Sequence, residues 1–125
     1  MIRPVVERLP RRGEIWTADL GNPPSRHWVL VVSLDQRNQS DRVDTVLMVP
    51  FSSSGSDAPT ILRIDAGESG LPGPSYLKCH FITTFPKARL KERTPRTLSS
   101  RRMREVAVAI RRSFDPDAPY DPAKP

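Results

Sequence analysis

The chain has 125 residues, of which 37% are hydrophobic and 27% charged, and carries a net charge of +6. That length suits one domain able to bury a core without staples, read here as 1–125 with a core of about 11–114 and tails at 1–10 and 115–125. A single cysteine excludes a disulfide framework, no apolar run approaches the ~20 residues of a membrane helix, and the charged start Met1–Arg8 is no secretory signal, so a cytoplasmic protein without membrane association is expected.

Residues 1–12, with Pro4, Pro10 and the Arg11-Arg12 pair, read as a lead-in. Glu14–Leu20 places Trp16, Ala18 and Leu20 on one face and predicts a half-buried strand. The breakers Gly21–Arg26 predict a loop, and His27–Leu34, with Trp-Val-Leu-Val-Val, a second strand. Asp35–Arg42 is wholly polar and is expected at the surface as a loop or ribbon.

Thr45–Phe51 is the third strand. Its run of Val46, Leu47, Met48 and Val49 is what burial on both sheet faces requires. Pro50 cannot donate to a ladder, so the strand should be at or near its end there. Ser52–Pro59 follows as a loop rich in hydroxyls.

Thr60–Asp65 reads as an edge strand and Ala66–Ser75, with three glycines and two prolines, as a loop. Tyr76–Phe85 alternates as a fifth strand, with Leu77, Cys79 and Phe81 pointing one way and Lys78 and His80 the other. From Thr97 the period changes. Ser99 or Ser100 can cap a helix whose apolar positions are Met103, Val106, Ala107, Ile110 and Phe114. Asp115–Pro125 repeats Asp-Pro and Ala-Pro and is expected to be extended or disordered. The sum is a mainly β chain with a C-terminal α-helix, a small curled sheet or barrel sealed by that helix.

Several chemistries are excluded. One cysteine and two distant histidines give no zinc spacing, and no glycine-rich phosphate loop or Gly-x-Ser-x-Gly elbow occurs, so no metal and no cofactor are expected. Ten of the twenty Lys and Arg residues lie between Lys87 and Arg112, opposed there only by Glu92 and Glu105. Such a segment attracts polyanions or forms a solvated helix face. A basic chain with a hydroxyl-rich rim and an Arg26-His27 pair at the start of a core strand suits cleavage of RNA by its own 2′-hydroxyl. That reaction needs a proton acceptor, a proton donor and a cation on the phosphorane. Histidine, with an unperturbed pKa of about 6.5, serves proton transfer, and Arg26 can grip phosphate oxygens. A histidine beside a tryptophan is also often a packed residue, and Cys79 on the apolar face reads as inert core.

The segments Arg12–Gly21 (Arg-Gly-Glu-Ile-Trp-Thr-Ala-Asp-Leu-Gly), Val29–Ser33, Val46–Ser52 (Val-Leu-Met-Val-Pro-Phe-Ser) and Gly70-Leu71…Ser75…Cys79–Thr84 resemble, in that order, the MazF/PemK (Kid) toxins of type II toxin–antitoxin systems. The likeness runs from about Arg11 to Phe114. It implies an SH3-like (CcdB/PemK-like) small barrel, a homodimer, and a metal-independent endoribonuclease that cuts single-stranded RNA and is blocked by a cognate antitoxin. By position the family's active-site hydroxyl falls on Ser52, and its arginine, normally followed by proline, falls on His27 followed by Trp28. The resemblance thus implies His27 and Ser52 as catalytic residues, and Arg26, one residue before His27, is expected to share the work of the missing arginine. RNA contacts are expected at Ser53, Ser54, Arg12, Lys78, His80, Thr83, Thr84 and Lys87. The family's Gln-Ile-Arg-Thr segment reads Phe81-Ile82-Thr83-Thr84 here. These departures admit an alternative, a non-catalytic or weakened barrel that binds nucleic acid or a protein partner.

Overall fold

The third strand is the hub of the sheet. In the computed structural model, which describes residues 9–119, seven strands curl into a half-barrel in the order β4-β5-β3-β2-β1-β7, with β6 also pairing β3. They are β1 (Glu14–Leu20), β2 (Ser25–Val31), β3 (Thr45–Ser52), β4 (Ile61–Ile64), β5 (Ser75–Lys78), β6 (Thr83–Pro86) and β7 (Arg93–Thr97). Among the described residues the α-helices are the single turns α1 (Asp35–Asn38) and α2 (Ala66–Ser69), and α3 (Ser100–Arg111). Among the described residues no helix is long and apolar enough to cross a membrane. The readings that fall on residues 1–8 and 120–125 lie outside the described residues.

Both faces of β3 are covered, as its unbroken apolar run requires. Val49 and Phe51 join Ile15, Leu30, Leu77 and Leu98 in a cluster covered by Met103, Val106 and Ala109 of α3. Val46 and Met48 face the other way, into a second cluster with Trp16, Ala18, Val29, Val31, Phe85 and Leu90. The same sheet therefore divides two cores. β1 is buried on both faces over Glu14–Ala18, not half-buried as alternation suggested, because Ile15 on its second face packs into the cluster of Leu98 and α3.

Pro50 sits inside β3, which runs two residues beyond it. On one side it lies opposite Val29 of β2. On the other, β3 pairs with β6 through Met48 and with β5 only from Phe51. The absent N–H therefore falls in the gap between two partners and removes no ladder bond.

Elsewhere the structure departs from simple periodicity. The expected strand Tyr76–Phe85 is broken into β5, a 3₁₀ turn at Cys79–Phe81, and β6. Leu77 and Cys79 are buried as expected, but the turn swings Phe81 out to 59% exposure. The polar segment after β2 folds into α1 because Asn38 is buried, its amide donating to the Ser33 carbonyl at 2.7 Å. The Ser33 hydroxyl in turn accepts from the Leu47 N–H at 3.0 Å, tying that turn to β3. β7 has no apolar alternation and contains Pro95; it survives as an edge strand paired only to β1, across a bulge.

Helix α3 begins where expected, with the Ser99 hydroxyl accepting from the Arg102 N–H at 3.2 Å. Its buried residues are Met103, Val106 and Ala109, while Phe114 is 71% exposed because the helix ends at Arg111 and the spacing stops there. The start of the C-terminal tail is also ordered against the body: Ala118 is buried, its N–H bonds the Asp115 carbonyl, and Arg112 donates to the carbonyls of Pro119 and Pro59.

Two charged groups lock the ends of this sheet. Glu14 is 1% exposed, and its Oε1 accepts from the Arg11 N–H at 2.8 Å and the Trp16 Nε1–H at 3.2 Å, with Arg93 at 3.7 Å from Oε2. Replacing it by alanine leaves buried donors without an acceptor, so Glu14→Ala should lower stability by about 1–3 kcal/mol in urea unfolding. Arg102 clamps α3 to α2 through both oxygens of Glu68, at 2.8 and 3.2 Å, and reaches Glu105 and the Arg63 carbonyl.

The hydrogen bond from Arg102, chiefly, holds the Glu68 carboxyl below its ordinary range. Its stabilising contribution is thus full above the unfolded-state value near 4.5 and is lost as pH falls through the lower folded value. Thermal melts of the wild type and Glu68→Gln should accordingly differ most at neutral pH and converge as the buffer is taken below pH 4.5.

Candidate active site

At the open end of the second core, where β1, β2 and β3 run past their last buried residues, lies a cavity of about 510 Å³. Its walls are Leu20, His27, Pro50, Phe51, Ser52, Ser53, Lys78 and Phe81. Strand alternation explains the gathering. Val29 and Val31 of β2 face the second core, so His27 does too, as do Leu20 in line with Trp16 and Ala18, and Ser52 in line with Met48. Val29 lies opposite Pro50; continuing that antiparallel register by two residues sets His27 across from Ser52. Tyr76 of β5 pairs with Ser52, which brings Lys78 alongside Pro50 on the same face.

His27 is half-buried, with Nε2 2.9 Å from the Ser25 hydroxyl. A serine hydroxyl both donates and accepts, so this contact survives gain or loss of a proton by the ring. Among the described residues Nδ1 of His27 has no hydrogen-bond partner. The Ser52 hydroxyl donates to the Ser54 carbonyl at 2.9 Å and accepts from the Ser54 N–H at 3.3 Å, which folds the loop back on itself. Gly55 continues it with φ at +149°, where a Cβ would lie 3.3 Å from the Tyr76 ring and 3.4 Å from Lys78 Nζ. A side chain at this position would crowd the Tyr76 ring, in a backbone conformation that favours glycine.

Of the other candidates, Lys78 and Ser53 also line the cavity and most of the rest lie elsewhere. Arg26 alternates to the opposite face from His27 and lies 3.9 Å from Glu92 in an exposed ion pair. The cation the fold brings to the cavity is Lys78. Ser53 lines it and Ser54 is exposed beside it. His80 is exposed, its Nδ1 2.9 Å from the Thr60 hydroxyl. Thr83 and Thr84 are exposed on β6, opposite Met48 and Leu47. Arg12 precedes β1 at the end far from His27, with its N–H on Asp35 Oδ1. Lys87 donates to the carbonyls of Arg37 and Ser40 and lines a different cavity with Pro10, Asp41 and Asp44. Desolvation first, and then the Arg37 charge, lower its pKa.

The basic segment is divided in the same way. Arg102 is held by Glu68 and Glu105, and Arg111 by Asp115. Arg101 and Arg104 are exposed on α3, which covers the first core and so lies behind the sheet from the cavity. Arg89, bonded to the Asp19 carbonyl, and Lys91, paired with the Asp19 carboxylate, line a separate cavity with Pro24 and Ala88.

The model of the PemK-like, MazF-like toxins of type II toxin–antitoxin systems matches residues 11–114. The chain belongs to this family. Solved structures share the fold of this MazF-like chain at low identity. An endoribonuclease in complex with its cognate antitoxin from a mycobacterial species is 22% identical, with 90% of this chain and 99% of that one covered at a TM-score of 0.73. The Mycobacterium tuberculosis toxin MazF-mt6 is 24% identical over 83% and 98% of the two chains, at 0.71. A chain of the MazE–MazF complex from Deinococcus radiodurans is 16% identical over 85% and 95%, at 0.68. The half-barrel with its C-terminal helix, compatible with an SH3-like description, is thus the fold of the MazF-like toxins.

Four walls of the cavity, Leu20, Pro50, Phe51 and Phe81, escaped the sequence reading. Leu20 and Pro50 could have been found by extending the β1–β3 alternation. Phe81 could not, because its exposure depends on the 3₁₀ turn. Cys79, two residues earlier, is fully buried, and desolvation pushes its thiol up to about 12. It is therefore protonated at neutral pH, and iodoacetamide should label it only after denaturation; labelling of the native chain at the denatured rate would contradict its burial.

Proposed function

We propose that this family member is the toxin of a toxin–antitoxin pair and cuts single-stranded RNA in the cavity between β2, β3 and β5. The observation that carries the reading is the placing of His27, Ser52 and Lys78 around one opening. They supply a proton acceptor, a neutral hydrogen-bond donor and a cation, and the proton for the leaving oxygen comes from solvent.

In this mechanism His27 takes the proton of the 2′-hydroxyl. The 2′-oxygen attacks the adjacent phosphorus, and the bond from phosphorus to the 5′-oxygen breaks. The products are a 2′,3′-cyclic phosphate and a 5′-hydroxyl that has taken its proton from solvent. Lys78 and the Ser52 hydroxyl stabilise the charge that builds on the non-bridging oxygens. Ser52 must exchange the Ser54 carbonyl for phosphate to do so, which makes its net contribution smaller than the histidine's. Arg26, on the other face, guides the strand at most from outside. The partners in this reading are RNA, a second copy of the chain and a cognate antitoxin.

Incubation of purified protein with a long unstructured RNA and a chelator tests the assignment. Defined fragments with 5′-hydroxyl ends support it. Intact RNA with retarded mobility would mean a barrel that binds without cutting. His27→Ala should lower the cleavage rate about 10²–10⁴-fold with an unchanged melting temperature, and Ser52→Ala about ten- to a hundredfold. Wild-type cleavage by His27→Ala would reduce the imidazole to a packing role.

Lys78→Ala should weaken RNA binding and lower the salt slope by about one phosphate contact. Arg101→Ala and Arg104→Ala, behind the sheet, should leave that slope alone.

A further inference from the structure

Phe81 is the large apolar side chain that the fold leaves most conspicuously at the cavity. Its ring is 59% exposed yet lines the same space as His27, Ser52 and Lys78. Its neighbours hold it there. Cys79 is fully buried and its N–H bonds the Thr60 carbonyl at 2.9 Å; Ile82 packs against the first core and closes the turn with a bond to the Cys79 carbonyl at 3.3 Å. With both anchors pointing inward, the two residues between them are forced out. His80 is fixed in turn by Thr60, and its ring lies 4.7 Å from that of Phe81, tilted by 40°.

We propose that Phe81 is a stacking platform for an unpaired base of single-stranded RNA at the cavity mouth. The inference deepens the ribonuclease reading and rests on it for the identity of the strand. The chemistry of the walls selects the occupant. A ring face beside an ammonium, an imidazole and a hydroxyl matches a ligand that joins a flat π system to an anion, and a nucleotide is such a ligand. An apolar protein surface pressed onto Phe81 would instead desolvate Lys78 and His27 without supplying a counter-charge. The volume of about 510 Å³ lies within the range of small-ligand sites. Because every base has a π face, Phe81 adds affinity without choosing a base. Base preference then comes from the hydrogen-bonding groups around it.

Binding is best read in the His27→Ala background, which holds cleavage off, with a short labelled single-stranded RNA. Phe81→Leu, apolar but without a ring, should weaken binding roughly 5- to 150-fold, while Phe81→Trp should retain it. The salt slope should be the same in all three proteins, since no phosphate contact has changed. The emission added by Phe81→Trp should be quenched by RNA and left unchanged by inorganic polyphosphate, which offers the charge without the bases. Phe81→Leu binding as tightly as its parent would overturn the proposal, as would equal quenching by polyphosphate. A leucine variant that keeps its RNA affinity but changes oligomeric state in sedimentation would also overturn it, marking Phe81 as a contact between copies. If the wild-type chain leaves RNA intact, the ribonuclease reading fails and the binding series still decides the role of Phe81.

Discussion

Strand β3 has to satisfy β2 on one edge and two shorter strands, β5 and β6, on the other, while both of its faces are buried. That constraint organises the molecule. A strand with apolar residues on both faces needs a layer on each side, and α3 supplies one while the curl of the sheet itself supplies the other. The changeover between β6 and β5 leaves a gap opposite Pro50, and the chain bridges it with the 3₁₀ turn that carries His80 and Phe81. One irregularity thus accommodates a proline inside a central strand and delivers an aromatic ring to the cavity.

The cavity is a consequence of how the second core ends. Trp16, Ala18, Val29, Val31, Val46 and Met48 fill the face of the sheet turned away from α3. Beyond them the same face continues through Leu20, His27 and Ser52, whose side chains are apolar, ionisable and hydroxylic in turn. The positions that would otherwise extend the core are therefore the positions that could carry chemistry. Strand phase then discriminates between adjacent residues more sharply than chemistry does. Arg26 and His27 are neighbours, yet one lies beside Glu92 and the other beside the cavity.

Charge follows a similar logic. The many arginines of the last third of the chain look like one cationic surface in sequence, but the fold spends several on itself. Arg102 joins α3 to α2, Arg111 and Arg112 fasten the segment after the helix, and Arg93 neighbours the buried Glu14. The helix that carries Arg101 and Arg104 covers the first core, so their charge is separated from the cavity by the thickness of the sheet. Among the described residues that line the opening, the cation is Lys78 of β5.

Local pattern determined much of this. The apolar run of β3, the alternation of β1 and the serine-capped α3 are each fixed by side chains close in sequence, and the ordered segments from Arg12 to Thr84 carried the family likeness. In sequence, His27 and Ser52 are linked through the family likeness alone; that both line one cavity follows from β2 lying beside β3. Tertiary structure alone decided the rest. Asn38 turned a polar stretch into α1 by being buried against Ser33, and β7 formed from Arg-Thr-Pro-Arg-Thr because β1 offered it a free edge. Phe81 left the core and Lys78 took the place expected of Arg26 because β3 changes partners at Pro50. Such outcomes depend on which strand lies next to which, and residue spacing carries no record of that.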